Sequence, residues 1–145
     1  MPKFWLFLSD PADYHWDTLF VKGKELWDGL QGPTAHRYLK QVRKGDKVLC
    51  YHGAPDRSVY GMAVAASDAY LDPHDAKKHL RAVDLKAIDR FPRAVSHREL
   101  KMNPRLRKLK LLRMPRLAIC PLTEREYNEI LRMGGIPSTL SLFAP

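Results

Sequence analysis

The order in which strand and helix patterns follow one another most constrains the fold of this sequence. A buried strand is predicted over residues 3–8, because it is aromatic and apolar on both faces and ends at the turn-forming Ser9-Asp10-Pro11. Helical spacing of apolar residues follows over residues 15–21, with Asp13 as a candidate N-cap. After an irregular segment, Pro33 is placed to open a second helix that reaches about Val42.

Beyond the turn Lys44-Gly45-Asp46 the apolar pattern changes to that of strands. Residues 47–52 and 59–64 flank the turn-like segment 53–56 and predict a hairpin. Residues 80–88 alternate apolar and polar side chains and predict a further strand, and residues 116–120 predict the last one.

Two capping boxes mark the starts of helices in the second half of the chain. Ser96 with Glu99 and Thr123 with Glu126 both have the spacing in which a hydroxyl caps an amide and a glutamate reaches back. The strands are therefore not regularly interleaved with crossover helices, which disfavours a parallel doubly wound sheet. We expect an α+β fold in which helices pack around an antiparallel, barrel-like sheet. The length predicts one domain over residues 1–145, with 134–145 as a tail.

The positive charge of the chain is concentrated in one stretch. The whole sequence carries a net charge of +9. Residues 76–117 contain 14 Lys and Arg against three acids, a net of +11, so the remaining residues carry a net of −2. This imbalance predicts a basic face and a polyanionic partner.

Several classes of protein do not fit the sequence. Its apolar runs are too short for a transmembrane helix, so no membrane partner is expected. The N-terminus lacks the pattern of a signal peptide, and Cys50 and Cys120 are interpreted as reduced core thiols. We expect a cytoplasmic protein, or a nuclear one in a eukaryote.

Motifs of catalysis and metal binding are missing from the sequence. It has no GxSxG, P-loop, GxGxxG, HExxH or CxxC motif, and no cofactor is expected. A metal site at His74 and His79 is weighed against a solvated loop, which we favour. A nucleophile pair of Cys50 and His52 is weighed against a buried thiol beside a satisfied histidine, which is again the favoured interpretation.

Two features indicate recognition of nucleic acid. Basic and apolar residues are interleaved over 105–116, which can dock on the core and present cations to phosphates. In Trp27-Asp28-Gly29 the indole can stack on a flat ring while the acid or the amides contact its edge. A core tryptophan with Asp28 capping a turn is the equally weighted alternative.

The ordered set of motifs resembles the EVE domain family over residues 3–132. It comprises Phe4-Trp5-Leu6-Phe7, Ser9-Asp10-Pro11, Tyr14, Trp27-Asp28-Gly29, Lys44-Gly45-Asp46-Lys47-Val48, Tyr51-His52, Gly61-Met62-Ala63, Tyr70-Leu71-Asp72-Pro73, Val83-Asp84-Leu85, Phe91-Pro92-Arg93, Val95-Ser96, Leu100-Lys101, Leu112-Arg113, Arg116-Leu117 and Leu122-Thr123. The resemblance implies a PUA-like fold, which is a small mixed or antiparallel β-barrel with flanking helices. It also implies a binding module, not an enzyme. Such a module would hold a modified base, methylated or hydroxymethylated, flipped into an aromatic-walled pocket.

On this reading the site residues fall into three groups. The base pocket consists of Trp27 as the stacking wall with Asp28, Gly29, Ser9, Trp5, Tyr51 and His52, and its rim of His36 and Arg37. The phosphate-binding residues are Arg113, Arg116, Arg107, Lys108 and Lys110.

The sequence departs from the family where ligand contacts are expected. After Trp-Asp-Gly the family usually continues Val-Arg-Asn-Tyr-Gln-Ala-Arg-Asn, whereas residues 30–37 here are Leu-Gln-Gly-Pro-Thr-Ala-His-Arg. The resemblance therefore predicts the fold without specifying the modified base, or whether DNA or RNA carries it.

Two rival functions remain open at this point. One is an enzyme acting on a nucleobase, with Asp28 or His52 as acid or base, and the other is a pocket for a small flat metabolite. A monomer is expected, with a dimer through the tail as the alternative, since Leu140, Leu142 and Phe143 are apolar.

Overall fold

The computed structural model describes residues 2–28 and 32–137, which form seven strands and several short helices. In chain order the elements are β1 (Phe4–Ser9), α1 (Asp17–Lys22), β2 (Lys24–Trp27), α2 (Pro33–Leu39), β3 (Lys47–His52), β4 (Ser58–Ala65), β5 (Tyr70–Leu71), β6 (Arg81–Ser96), α3 (His97–Met102), a 3-10 turn (Pro104–Leu106), α4 (Lys110–Arg113), β7 (Ile119–Leu122) and α5 (Glu124–Met133). No helix among these residues is long and apolar enough to cross a membrane.

The strands form one mixed sheet in the order β2-β6-β4-β3-β1-β7, with β5 added to β6. Strands β1 and β3 are parallel, and the other pairs are antiparallel. The α+β prediction is confirmed, but the predicted closure into a barrel is wrong for the described residues, because the end strands β2 and β7 do not pair. Both are only four residues long, and Pro121 in β7 lacks the N–H that a further strand would need.

The predicted boundaries of the elements agree best with the structure where a capping motif of neighbouring residues sets them. Both capping boxes are formed, at Ser96 and at Thr123, and α2 begins at Pro33. Strand β6 was expected to end near Ile88 but continues to Ser96, because its pairing with β4 resumes at Val95 beyond an irregularity that spans Pro92. The segment before α2 was expected to be irregular, yet it contains β2.

The sheet separates two buried clusters, and strand alternation decides which residues enter each. Trp5 and Phe7 of β1 lie with Cys50 of β3 in a cluster that contains Trp16 and Trp27, which we call the aromatic core. Leu6, Leu49 and Tyr51 point to the opposite side, where they pack under α3, α4 and α5 in what we call the aliphatic core.

The two cysteines lie in different cores. Cys50 is in the aromatic core, Cys120 is in the aliphatic core, and both are free and buried. Burial raises the pKa of both thiols, that of Cys120 to about 12. The thiolate that a nucleophile needs is therefore strongly disfavoured at Cys50.

Candidate functional site

The parallel pairing of β1 and β3 brings two of the predicted pocket residues together. Ser9 and His52 are register partners at the carboxyl ends of these strands. Partners in a parallel pair share a face, so both side chains lie on the side of the aromatic core. Both are almost fully buried.

Three aromatic side chains pack beside this pair. The rings of Trp16 and Trp27 are stacked, with centroids 4.4 Å apart and an angle of 20° between their planes. Tyr14 meets Trp27 edge-on at 5.1 Å and Trp16 edge-on at 5.9 Å. Offset-stacked and edge-to-face arrangements are the favourable ones for aromatic pairs, so these contacts stabilise the cluster.

Hydrogen bonds fix the cluster to the strand ends. The backbone N–H of Trp16 donates to Nε2 of His52 at 2.9 Å, and its indole N–H donates to the carbonyl of Tyr51 at 2.9 Å. The hydroxyl of Ser9 donates to the carbonyl of Tyr14 at 2.7 Å. Ser9 and His52 therefore hold the aromatic residues in place.

Trp27 combines features of a core residue and of a pocket wall. Its side chain is 8% exposed, and Trp16 covers one of its faces. Its indole N–H is buried without a hydrogen-bond partner among the described residues. A stacked base would have to use the face of Trp27 that is turned away from Trp16.

His52 is neutral at physiological pH. Burial, and secondarily the nearby His15, lowers the pKa of His52 to about 4. Because Nε2 accepts the N–H of Trp16, the ring proton resides on Nδ1, 3.9 Å from the carboxylate of Asp56. His15, His52 and Asp56 are close enough to share a metal ion. However, coordination through Nδ1 would require an imidazolate while Nε2 still accepts, so we assign no metal here.

Asp28 turns towards a neighbouring loop. Its carboxylate lies 2.7 Å from Nδ1 of His74, which is itself 3.6 Å from Asp72. This hydrogen bond raises the pKa of His74. The three side chains could also hold a divalent cation, whereas His79 pairs separately with Asp75 at 3.5 Å.

Other predicted pocket residues are not brought to the cluster. Trp5 lies in the aromatic core, but at the opposite end of β1, where its indole N–H donates to Asp46 at 2.9 Å. Tyr51 points into the aliphatic core, and only its backbone carbonyl contacts Trp16. Gly29 lies outside the described residues.

A cleft of about 510 Å³ separates the start of α2 from the α4–β7 connection. Its lining residues are Gly32, Pro33, Thr34, Ala35, Arg113, Met114, Pro115, Arg116, Leu117 and Ala118. The volume is in the range of small-molecule sites, and two of the predicted phosphate-binding arginines, both exposed, form one wall.

The cleft adjoins the end of β1. The carbonyl of Ala118 accepts the N–H of Leu8 at 2.8 Å, one residue before Ser9, and Ala118 packs against the aromatic core. The cleft and the aromatic cluster therefore belong to one region of the molecule.

The remaining predicted cations lie around α2 and before α4. Arg107 and Lys108 are exposed in the turn before α4. Lys110 and Arg37 both lie near the ring of Tyr38, at 5.7 and 6.0 Å from its centroid. His36 accepts the backbone N–H of Arg81 at 3.1 Å.

A larger groove, of about 1160 Å³, lies along α5 and contains none of the predicted site residues. It is lined by Phe4, Lys47, Arg105, Glu124, Arg125, Asn128, Glu129, Leu131, Arg132, Ile136 and Pro137. Arg105 and Arg132 are both paired with Glu129, so much of its positive charge is already neutralised.

Comparison with models of protein families assigns the chain to a family. The model of the EVE domain matches residues 3–133. The chain belongs to the EVE domain family. A search of curated proteins gives no match.

Several solved structures are similar to this EVE domain in fold. The NMR structure of a Rhodopseudomonas palustris protein is 32% identical, covers 92% of this chain and 93% of that one, and superposes with a TM-score of 0.86. The human THYN1 protein in complex with DNA containing 5-methylcytosine is 20% identical, covers 93% and 99%, and has a TM-score of 0.81.

A more distant structure shares the fold. The YTH domain of the Zygosaccharomyces rouxii MRB1 protein, in complex with N6-methyladenosine RNA, is 13% identical over 92% of this chain and 86% of that one, with a TM-score of 0.55. The EVE domain described here therefore has a PUA-like fold, as the family resemblance implied.

Sequence reasoning did not assign Trp16 to the site. Trp16 was interpreted only as an apolar position of the first helix, whereas it is the stacking partner of Trp27 and is bound by His52. The available signal was its position just after Tyr14, in the segment that leaves the carboxyl end of β1.

Proposed function

We propose that this EVE domain binds nucleic acid and holds one modified base in the cleft between α2 and the α4–β7 connection. The observation that carries the proposal is the pair of exposed arginines, Arg113 and Arg116, on the wall of this cleft. Neither has a carboxylate partner in the part of the chain that the structure describes. Guanidinium groups without a carboxylate partner are available to phosphate.

The aromatic cluster supplies a rigid support for the bound base. Trp27 is anchored through Trp16 to the ends of β1 and β3, so the start of the segment that leads into the cleft is fixed. A preformed site loses little conformational entropy on binding. The fixed cluster therefore supports base recognition next to it.

Structures with the same fold support the class of ligand. The human THYN1 structure contains DNA with 5-methylcytosine, and the YTH structure contains N6-methyladenosine RNA. Their low sequence identity leaves both the base and the sugar of the present ligand open. We therefore propose modified-base binding as a class.

A binding module agrees better with the geometry than an enzyme does. Both candidates for acid–base chemistry already have partners, since His52 accepts from Trp16 and Asp28 bonds to His74. A general acid or base must have its proton-transferring atom within reach of the substrate. In His52 the atom that could accept a proton is occupied.

The proposal is tested by measuring binding of labelled oligonucleotides by fluorescence anisotropy. Each DNA or RNA would carry one plain, 5-methyl, 5-hydroxymethyl or N6-methyl base, at two salt concentrations. We expect binding that depends on the modification and weakens with salt. Salt-independent binding of the modified nucleoside alone would instead indicate a small-metabolite pocket, and no binding of any probe would refute the proposal.

A double variant locates the interface. Arg113→Ala with Arg116→Ala should lower the affinity for all oligonucleotides and reduce the salt slope by about 1.4, because each lost phosphate contact on a single strand contributes about 0.7. The matched control, Lys24→Ala with Arg125→Ala, removes two exposed cations elsewhere on the molecule. Equal effects of both double variants would contradict the assignment of the cleft.

A further inference from the structure

Helix α2 is bordered by cations on two sides, and only one side was anticipated from the sequence. Arg37 in the helix and Lys40, the residue that follows its last turn, are both exposed. Lys110, Arg113 and Arg116 lie on the side of the α4–β7 connection and form what we call the cleft flank. Lys77 and Lys78 in the connection between β5 and β6, with Arg81 at the start of β6, form what we call the distal flank.

The distal flank is attached directly to α2. The backbone N–H of Arg81 donates to Nε2 of His36 at 3.1 Å. Burial lowers the pKa of His36, and the electrostatic influence of Lys40 and Arg81 lowers it further. Cations from α2 and from the distal flank therefore converge on one histidine.

The cleft flank meets α2 at Tyr38. Arg37 from the helix and Lys110 from α4 both approach the ring of Tyr38, at 6.0 and 5.7 Å from its centroid. Arg113 and Arg116 face the first residues of α2 across the cleft. Arg81 of the distal flank therefore meets α2 at His36, and Lys110 of the cleft flank meets it at Tyr38, so cations border the helix on both sides.

Unlike five other cations of the chain, the cations of α2 and of the two flanks have no acidic partner among the described residues. Lys22, Arg90, Arg93, Arg105 and Arg132 each have a carboxylate within 4.0 Å. Within residues 2–28 and 32–137, no such pair involves any cation of α2 or of the two flanks. Asp75, the acid beside the distal flank, accepts backbone N–H groups of residues 77, 79 and 80 and faces His79.

We infer that a single nucleic-acid strand crosses α2, with its phosphates contacting both the distal flank and the cleft flank. The inference rests on the proposed function, because it extends the same site to a polynucleotide. A helix with its side chains is roughly 10–12 Å wide, so one nucleotide held in the cleft does not reach the distal flank. The domain therefore binds a run of nucleotides, and its affinity depends on their number.

The test combines oligonucleotide length with a charge-removing variant. Single strands of about 3 to about 15 nucleotides, each with one 5-methylcytosine, cover the known range of sites on single-strand binders. The variant Lys77→Ala with Lys78→Ala removes the exposed part of the distal flank. Lys78 has a φ of 56°, and alanine keeps its Cβ, so the backbone strain there is unchanged. The control is again Lys24→Ala with Arg125→Ala.

We expect the variant to bind the longest strand roughly 25-fold more weakly than wild type at 0.1 M salt, since each phosphate contact contributes about fivefold there. Its affinity for the shortest strand should match that of wild type, and the control should bind all strands within about twofold of wild type. Equal affinity of the variant and the control for the longest strand would overturn the inference.

Failure of the inference can be told from failure of the proposed function. If wild type binds no oligonucleotide of any length, the proposed function itself is wrong. If wild type prefers the methylated strand but the distal-flank variant binds like the control, only the path across α2 is wrong. Urea denaturation of the variants shows that any loss of affinity is not a loss of folding.

Discussion

At the scale of the residue, His52 links the aromatic cluster to the stability of the fold. It is neutral in the folded state because its pKa is lowered to about 4. In the unfolded chain its pKa returns to about 6.5, so between these values only the unfolded state binds the proton. The stability that the neutral, buried His52 contributes to the fold is therefore fully present above about pH 6.5. It is lost as the pH falls towards 4.

This difference predicts acid sensitivity that a single substitution relieves. Between pH 7 and pH 4, His52 should lower the free energy of unfolding by about 3 kcal/mol. In His52→Gln the side-chain oxygen can still accept the N–H of Trp16 but does not titrate. Urea denaturation across this range should show a smaller loss for the variant, and identical pH profiles would contradict the buried, neutral histidine.

Trp27 is predicted to matter first for folding. Trp27→Ala removes a buried ring from the stack with Trp16 and should cost about 3–5 kcal/mol of stability. Trp27→Phe keeps an aromatic face and should fold, so that its affinity for the modified strand can be measured. A loss below about 1 kcal/mol for Trp27→Ala, measured by urea denaturation, would show that the ring is not part of the core.

At the scale of the element, Gly61 allows α1 and β6 to pack closely against β4, because it has no Cβ. A Cβ at this position would lie 2.6 Å from the ring of Phe20 and 2.8 Å from the carbonyl oxygen of Asp89. Gly61→Ala should therefore destabilise the fold by about 1–3 kcal/mol. Gly53→Ala is the matched control, because its Cβ would meet nothing closer than 3.7 Å. Equal midpoints of urea denaturation for the two variants would contradict this packing.

Elements with local signals could be predicted, and those that depend on distant pairing could not. The capping boxes at Ser96 and Thr123 involve only neighbouring residues, and both are formed. Strand β2 has only four residues, and its extended form depends on pairing with residues 83–86 of β6. The parallel pairing of β1 with β3 was not anticipated either, since it depends on the crossover through α1, β2 and α2.

The sequence carried one signal about the site that was not used. Tyr51 and His52 are adjacent in a strand, so their side chains must point to opposite faces of the sheet. Only one of them can belong to the aromatic core, and it is His52 that holds Trp16 there. Trp5 could not be separated in the same way, because it shares the face of Ser9 and differs only in its position along β1.

At the scale of the whole molecule, the distribution of charge distinguishes two surfaces. Around α5 the cations of the large groove are partly paired, with Arg105 and Arg132 both on Glu129. Around α2 the described cations have no carboxylate partners, and the cleft lies among them. A polyanion gains most where cations are not already neutralised, which favours the smaller cleft over the larger groove.

The most direct test of the central claim is a titration of the ¹⁵N-labelled protein with a methylated oligonucleotide, followed by amide chemical shifts. We predict that the largest changes occur in the backbone amides of the cleft, at residues 32–35 without Pro33 and at residues 113–118 without Pro115. The unmethylated strand should shift the same amides less at equal concentration. Changes confined to the groove on α5, or equal changes for both strands, would contradict modified-base recognition in the cleft.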